Sequence, residues 1–428
     1  MPIAYSIFGW IAFVLAWPFL VFHRKTREGQ RERMGFHPPG WMADAPRPRI
    51  WLHGASAGDL LALKPMVGEL KRRFPGCTVV MSTLTNSGYQ MARERLGEVD
   101  FVTYQPWDLP GATARTVRAI DPDLLVLEYA EVWPNLIRAA HRHGAKVVLT
   151  NGRFAADKLR SYQLLFSLVG DPFASIDLFL MREDDEAERV LRLGASPDRV
   201  RVTGNTKFDT LAQDSSADTA EMARAIGEGP IFIAGSTHEG EEAALLPVFR
   251  RLRDARPSLR FAIAPRYVER APRIVSLAQA EGFRAGLRSR GAADADVVVI
   301  DTIGELSAAY RLATLVFVGG SFTNRGGQNI LEPAAHGKPV LFGPNMQNFH
   351  DSVQALVGRG GIQVADPEAL FRVASDLLAR PEKIEELGER ARDVVRSIRG
   401  ASARNVDEMA RMLGAAAPIA AVAPGGNG

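Results

Sequence analysis

Two stretches of the chain hold residue types that can do chemistry. Ile50 to His53 is a short apolar run that reads as a strand, and Gly54-Ala55-Ser56-Ala57-Gly58 keeps the turn after it thin. Asp59 then stands at the start of the helix DLLALKPMVGELKRRF. A carboxylate at the carboxyl end of a parallel strand lies where open α/β sheets place their sites, and it can serve as a general base. Asp is also a preferred helix cap that suits the helix dipole, so the capping role stands beside the catalytic one. The second stretch, Thr314 to Phe349, packs two apolar strands, two glycine pairs and one carboxylate into a few turns. Leu315-Val316-Phe317-Val318 reads as a buried strand that opens into Gly319-Gly320-Ser321. Gly326-Gly327 follow Arg325, Asn329 is placed as an N-cap, and Ile330 to His336 read as a short helix closed by Gly337. Lys338 to Phe342 is the next strand. Glycines let backbone N–H groups approach an anion, and a helix N-terminus adds about half a unit of positive charge, so a nucleotide phosphate fits here. Glu332, in the first turn, is placed for a ribose hydroxyl. The competing reading is an ordinary βαβ turn with structural glycines.

The elements that must position these groups are legible as a rhythm of apolar runs and helical patterns. Thr78 to Ser82, Phe101 to Tyr104, Asp123 to Glu128, Lys146 to Asn151 and Ile176 to Met181 read as strands with helices between them, and Pro230 to Ala234 opens a second set. With 428 residues, 46% hydrophobic and 24% charged, the chain is long enough for two domains with separate cores. A net charge of +3 and a pI near 9.0 are too mild to argue for nucleic acid, but they suit an enzyme of anionic substrates or one lying against anionic lipid. The single Cys77 rules out an internal disulfide, and the eight histidines form no cluster with metal-ligand spacing. Ile3 to Phe22 carries no charge, a length that spans a hydrocarbon core. The flank His23-Arg24-Lys25-Thr26-Arg27 then leaves the bulk of the chain cytoplasmic by the positive-inside rule. The expected divisions are an anchor over 1–23, an N-terminal domain over 24–212, a polar linker over 213–229, a C-terminal domain over 230–413 and a disordered Ala/Pro/Gly tail over 414–428.

GGSF, RGGQN, LEPAAHGKPVLFGP and the closing NF resemble the donor-site block of the 3-deoxy-D-manno-octulosonic acid (Kdo) transferases, membrane-anchored glycosyltransferases of the GT-B fold. HGASAGD resembles the family's HAVSVGE, which puts Asp59 at the position of the acidic base, one methylene shorter than the family's Glu. YAEVWPN resembles ETELWPN, with Glu131 retained and Tyr129 replacing the other Glu. Gly204 to Asp209 is similar to GNxKFD, making Lys207 a candidate phosphate or carboxylate ligand. GSTHEGEE matches the family, and its Ser236 and Thr237 can donate to phosphate oxygens. Pro265 to Arg270 resembles PRHxxR with Tyr267 in place of His, and Arg266 can clamp an anion bidentately. Gln328 replaces the His of the family's GGHN.

The resemblance implies an α/β protein of two Rossmann-like domains facing a cleft, with one N-terminal transmembrane helix. It implies an inverting, metal-independent glycosyltransferase without a cofactor, moving Kdo from CMP-Kdo to a lipid A precursor at the bacterial inner membrane. Asp59 is then the catalytic base, and Glu131, Lys207, Ser236, Thr237, Arg266, Gly319, Gly320, Ser321, Gly326, Gly327, Asn329 and Glu332 bind substrate. The partners are the sugar nucleotide, the lipid A precursor and inner-membrane lipid, with no nucleic acid. Two alternatives stay open: a membrane-associated transferase for another sugar nucleotide, and a tethered binding protein that has lost the chemistry.

Overall fold

Apolar strands alternate with amphipathic helices along the chain, and this alternation closes into two separate all-parallel sheets in the computed structural model, which describes residues 2–23, 26–210, 219–292 and 294–414. One compact unit comprises Met1–Thr210 together with the chain from Arg399 onward, and the other comprises Leu211–Ile398.

In the first unit the strands are β1 (Arg49–His53), β2 (Thr78–Thr83), β3 (Phe101–Tyr104), β4 (Leu124–Glu128), β5 (Lys146–Gly152), β6 (Leu178–Met181) and β7 (Val200–Val202). They stand in the order β3-β2-β1-β4-β5-β6-β7, all parallel. The order reverses between β1 and β4, the switch point at which such sheets bind ligands beyond the carboxyl ends of their strands. Alternation along each strand sends Trp51, Val80, Leu125, Leu127, Val147 and Leu149 into one core and Ile50, Leu52, Val79, Met81, Leu124 and Val126 into the other. Both faces are therefore covered, as parallel sheets require.

The second unit holds β8 (Ile231–Thr237), β9 (Arg260–Pro265), β10 (Ala285–Leu287), β11 (Val297–Val299), β12 (Leu315–Val318), β13 (Val340–Phe342) and β14 (Gly361–Gln363). Their order is β10-β11-β9-β8-β12-β13-β14, again parallel, with its reversal between β8 and β12.

Two expected boundaries move. Thr219–Ile226, inside the expected linker, is a helix that buries Met222, Ala225 and Ile226, while 211–218 lie outside the described residues. The helix Ala401–Met412, expected in the C-terminal domain, belongs to the first unit, where Val406, Met409 and Ala410 join the core around Leu60 and Leu63. The carboxylate of Asp209 fixes its start by accepting from Gly400 N and Ser402 N, both at 2.6 Å. Of the expected tail, 415–428 lie outside the described residues, as do Arg24 and Lys25 of the basic flank.

The N-terminal helix Pro2–Phe22 is long and apolar enough to cross a membrane. From Tyr5 on, its half-sheltered positions are Tyr5, Ser6, Gly9, Phe13, Ala16, Leu20 and Val21, a helical spacing that marks one face. That face meets the domain, where Tyr5 donates to Asp108 at 2.8 Å and Phe13 lies 6.0 Å from the Trp107 ring. The opposite face leaves Phe8, Ile11, Val14, Leu15, Phe19 and Phe22 exposed.

Candidate active site

At the switch point of the first sheet, the helix after β1 runs Ala57–Arg73, so it begins two residues before Asp59. Ser56 is the N-cap and Asp59 is the third helical residue, where its carboxylate closes a capping box. Ser56 N and Ser56 Oγ donate to Asp59 Oδ2 at 2.9 and 2.8 Å. Both bonds fall on one oxygen, leaving Oδ1 without a hydrogen bond among the described residues. The capping role is therefore real, and it consumes only half of the carboxylate.

Glu128 ends β4 as a fully buried carboxylate, accepting from Thr150 Oγ1 at 2.6 Å and Asn151 Nδ2 at 2.9 Å. Burial pushes its pKa up to about 7; nearby Asp59 adds to the rise, while the two hydrogen bonds and Lys207 oppose it. Asn151 Nδ2 also reaches Thr206 Oγ1 at 2.9 Å, which ties Glu128 to the loop carrying Lys207. The Lys207 ammonium stands 5.2 Å over the Tyr129 ring. Tyr129 and Asn151, at the ends of β4 and β5, both adopt left-handed backbone, with φ of 59° and 55°. For Asn this conformation is routine, whereas for Tyr it is strain of the kind that clusters at functional sites. Glu131 accepts from Trp133 Nε1 at 2.9 Å and lies 3.4 Å from His53 Nε2. Asp59, Glu128, Tyr129 and Lys207 thus form one electrostatic group.

The second switch point is built around a carboxylate that the sequence reading passed over. Glu241, the first residue of the helix Glu241–Ala255, accepts from His238 N and Gly320 N at 2.8 and 2.7 Å and from Ser321 N and Phe322 N at 3.0 and 2.9 Å. The N–H groups of Gly320 and Ser321 were expected to receive a phosphate, but the chain's own anion fills that cradle. Gly319 N is likewise bonded, to Gly235 O at 2.8 Å. Fully buried Thr237 donates its hydroxyl to Glu242 at 2.8 Å, and Glu242 also holds Arg270 through two 2.9 Å bonds. The Thr237 hydroxyl is therefore occupied as well.

Other atoms remain for a ligand. Arg266 and Arg325 are exposed and pair with no carboxylate among the described residues, and Arg266 lies 5.8 Å from the Tyr267 ring centre. Both lie close enough to His238 to lower its pKa, along with Arg270, although burial is the larger cause. Glu332 has no hydrogen-bond partner among the described residues, and burial raises its pKa. The Tyr310 hydroxyl is not among them: it is buried, which raises its pKa, it hydrogen-bonds with the Ser236 side chain, and it sits against Gly235, where a Cβ would overlap it. Ser236 beside it has a φ of 55°. Asn329 Oδ1 accepts from Leu331 N at 3.0 Å, next to the N-cap Ile330. Gly326 and Gly327, with φ of 80° and 81°, make the turn that seats Asn348 and Met346. The replaced residues Tyr267 and Gln328 converge on His238, one edge-on at 5.8 Å and the other 3.2 Å from its Nε2.

Residues 28–210 match the family model of 3-deoxy-D-manno-octulosonic-acid transferase (kdotransferase). The 3-deoxy-D-manno-octulosonic acid transferase of Chlamydophila psittaci is 32% identical over 390 residues, 89% of each chain. That of Bordetella pertussis is 30% identical over 419 residues, 94% of this chain and 96% of its own. The crystal structure of UDP-GlcNAc 2-epimerase from Neisseria meningitidis matches 85% of this chain and 100% of its own at 14% identity and a TM-score of 0.59, a likeness of fold. The GT-B class expected from the sequence is thus the fold found, and relatives aligned along nearly the whole length place the chain in the 3-deoxy-D-manno-octulosonic acid transferase family.

Proposed function

We propose that the protein transfers Kdo from CMP-Kdo to a hydroxyl of a lipid A precursor in lipopolysaccharide assembly. The observation that carries the mechanism is Asp59, held at a sheet switch point by a capping box on one oxygen with the other left for a proton. Asp59 removes the acceptor proton as the new C–O bond forms. The bond from the sugar to the CMP phosphate breaks through an oxocarbenium-like state, and the electron pair leaves with CMP. A single displacement of this kind inverts the anomeric centre. Arg266 and Arg325 meet the negative charge on the leaving phosphate, so the step can run on the protein's own cations. Glu332 accepts from a ribose hydroxyl, while Glu131 and Lys207 orient substrate near Asp59.

The helix Pro2–Phe22 attaches the enzyme to the cytoplasmic face of the inner membrane. A full crossing would break the Tyr5–Asp108 contact, so the attachment supported best has the helix lying along the domain with its exposed apolar face in lipid. The test is transfer of radiolabelled Kdo from CMP-Kdo to a lipid A precursor by the full-length protein. Turnover is expected; turnover only with another sugar nucleotide, or donor binding without turnover, would overturn the assignment.

A further inference from the structure

His53 closes β1 on one side of the first reversal, and Glu131 follows β4 on the other, just beyond Leu127, the strand partner of His53. The imidazole is fully buried and cannot touch substrate. Its Nδ1 lies 3.0 Å from Ser82 Oγ and 3.2 Å from Ser82 O, and its Nε2 lies 3.4 Å from Glu131 Oε2. Glu131 is the open end of this row, with 22% of its side chain exposed. Its Oε2 also accepts from Trp133 Nε1 at 2.9 Å, while Oε1 has no hydrogen bond among the described residues.

Nε2 must carry a hydrogen, because a bare nitrogen would set its lone pair against the Glu131 carboxylate. Nδ1 can then accept from Ser82 Oγ, since the Ser82 carbonyl already takes Gly54 N at 3.2 Å. Ser82 Oγ in turn accepts from Trp51 Nε1 at 2.7 Å. The Gln105 amide, 3.2 Å from the same oxygen, supplies it when turned over with the Nε2 that otherwise has no partner. Every donor along Trp51, Ser82 and His53 then points toward Glu131. The order Ser-His-Glu is that of a catalytic triad, but Ser82 is fully buried and the open member is the carboxylate. The 3.4 Å separation exceeds the roughly 2.7–2.9 Å of a charged hydrogen bond, and a small rotation of the partly exposed Glu131 side chain closes it. We propose that His53 is a positioning residue for the acceptor: its Nε2–H and the Trp133 indole hold Oε2 of Glu131, so that Oε1 is fixed in direction to accept from an acceptor hydroxyl. This rests on the function proposed above and supplies the physical cause of the orienting role given there to Glu131.

The competing role is structural, a tie from β1 to β2 through Ser82, which pairs with His53 in the ladder. Two substitutions separate the roles. Gln places its amide nitrogen where Nε2 stands and gives up Ser82, whereas Asn reaches only the place of Nδ1, keeps Ser82 and gives up Glu131. The experiment uses the full-length protein in neutral detergent, with Kdo transfer followed against lipid A precursor concentration at saturating CMP-Kdo. His53→Asn should raise the acceptor KM about tenfold, the worth of one hydrogen bond to a charged group, with kcat within about threefold and CMP affinity unchanged in calorimetric titration. His53→Gln should hold the KM within about threefold of wild type. In a Glu131→Ala background His53→Asn should add nothing, because the interaction it removes is already gone. The reverse order, a raised KM in the Gln variant and a wild-type KM in the Asn variant, overturns the positioning and leaves the strand tie. A full cost of His53→Asn without Glu131 overturns it too. Should circular dichroism show His53→Asn unfolded, the KM of His53→Gln decides alone. Failure of wild type to transfer Kdo sinks the function proposed above and the acceptor role with it, whereas transfer by wild type with the reverse order of variants sinks only the role of His53.

Discussion

Glu128→Gln isolates the group that burial perturbs most legibly. The wild-type carboxyl is raised from 4.5 to about 7. Between those values the native state holds a proton that the unfolded chain has lost, so stability falls as pH rises through the window and is level above it. The full drop is about 3 kcal/mol. Gln mimics the protonated form: its oxygen still accepts from Asn151 Nδ2, and its amide can donate to Thr150 Oγ1, whose hydroxyl rotates to accept. Urea unfolding of both proteins in neutral detergent at pH 5, 6, 7 and 8 reads the difference, in which every other titrating group cancels. Stability of wild type minus variant should decline by most of that drop up to about pH 7 and then stay flat. In thermal scans the variant should gain roughly 6–12 °C over wild type across the same window. Asp59→Asn as a background removes a like charge and should shrink the decline. A difference that does not vary with pH would refute the assignment of a neutral, desolvated Glu128 and, with it, the electrostatic coupling to Asp59.

Asp59→Asn should lower turnover by about two orders of magnitude or more with CMP affinity unchanged, whereas Ser56→Ala should cost about 1 kcal/mol of stability and leave turnover near normal; Kdo transfer and denaturation measure both. Glu241→Gln leaves two of four buried N–H groups facing an amide that cannot accept, so unfolding should show a loss of roughly 2–6 kcal/mol. Arg325→Gln and Glu332→Ala should each weaken CMP in calorimetric titration by about tenfold, and unchanged affinity in both would remove the second unit's claim to the donor.

The sheets were legible because runs such as Leu124 to Glu128 and Leu315 to Val318 are apolar, branched and bounded by turn residues. Asp59 could be found from its place after β1, although the helix starts earlier because Ser56 is the better cap. The helix Thr219–Ile226 was hidden by its polar neighbours, even though Met222, Ala225 and Ile226 have helical spacing. For Ala401–Met412 the pattern gives an apolar face but not which of two cores receives it; that choice is made by Asp209 and by the exposed flank of the helix Ala57–Arg73. The role of Glu241 was not legible because sequence cannot show that amides some 80 residues away converge on it.

Three carboxylates stand at the carboxyl ends of the strands flanking the two reversals, and available oxygen lone pairs sort their roles. Glu241 accepts four backbone N–H groups, so taking a proton would strip partners from buried amides at a cost of about 1–3 kcal/mol each. It can hold the loop after β12 but cannot act as a base. Glu128 titrates near neutrality, yet it is sealed from substrate and can act only through the Asn151–Thr206 link to the Lys207 loop. Asp59 alone of the three is partly exposed with one oxygen uncommitted, and the capping box that spends the other fixes the direction in which the free one points. The same helix-start geometry therefore yields a structural anion in one unit and, in the function proposed above, a base in the other, and the difference is the number of backbone amides the neighbouring loop delivers.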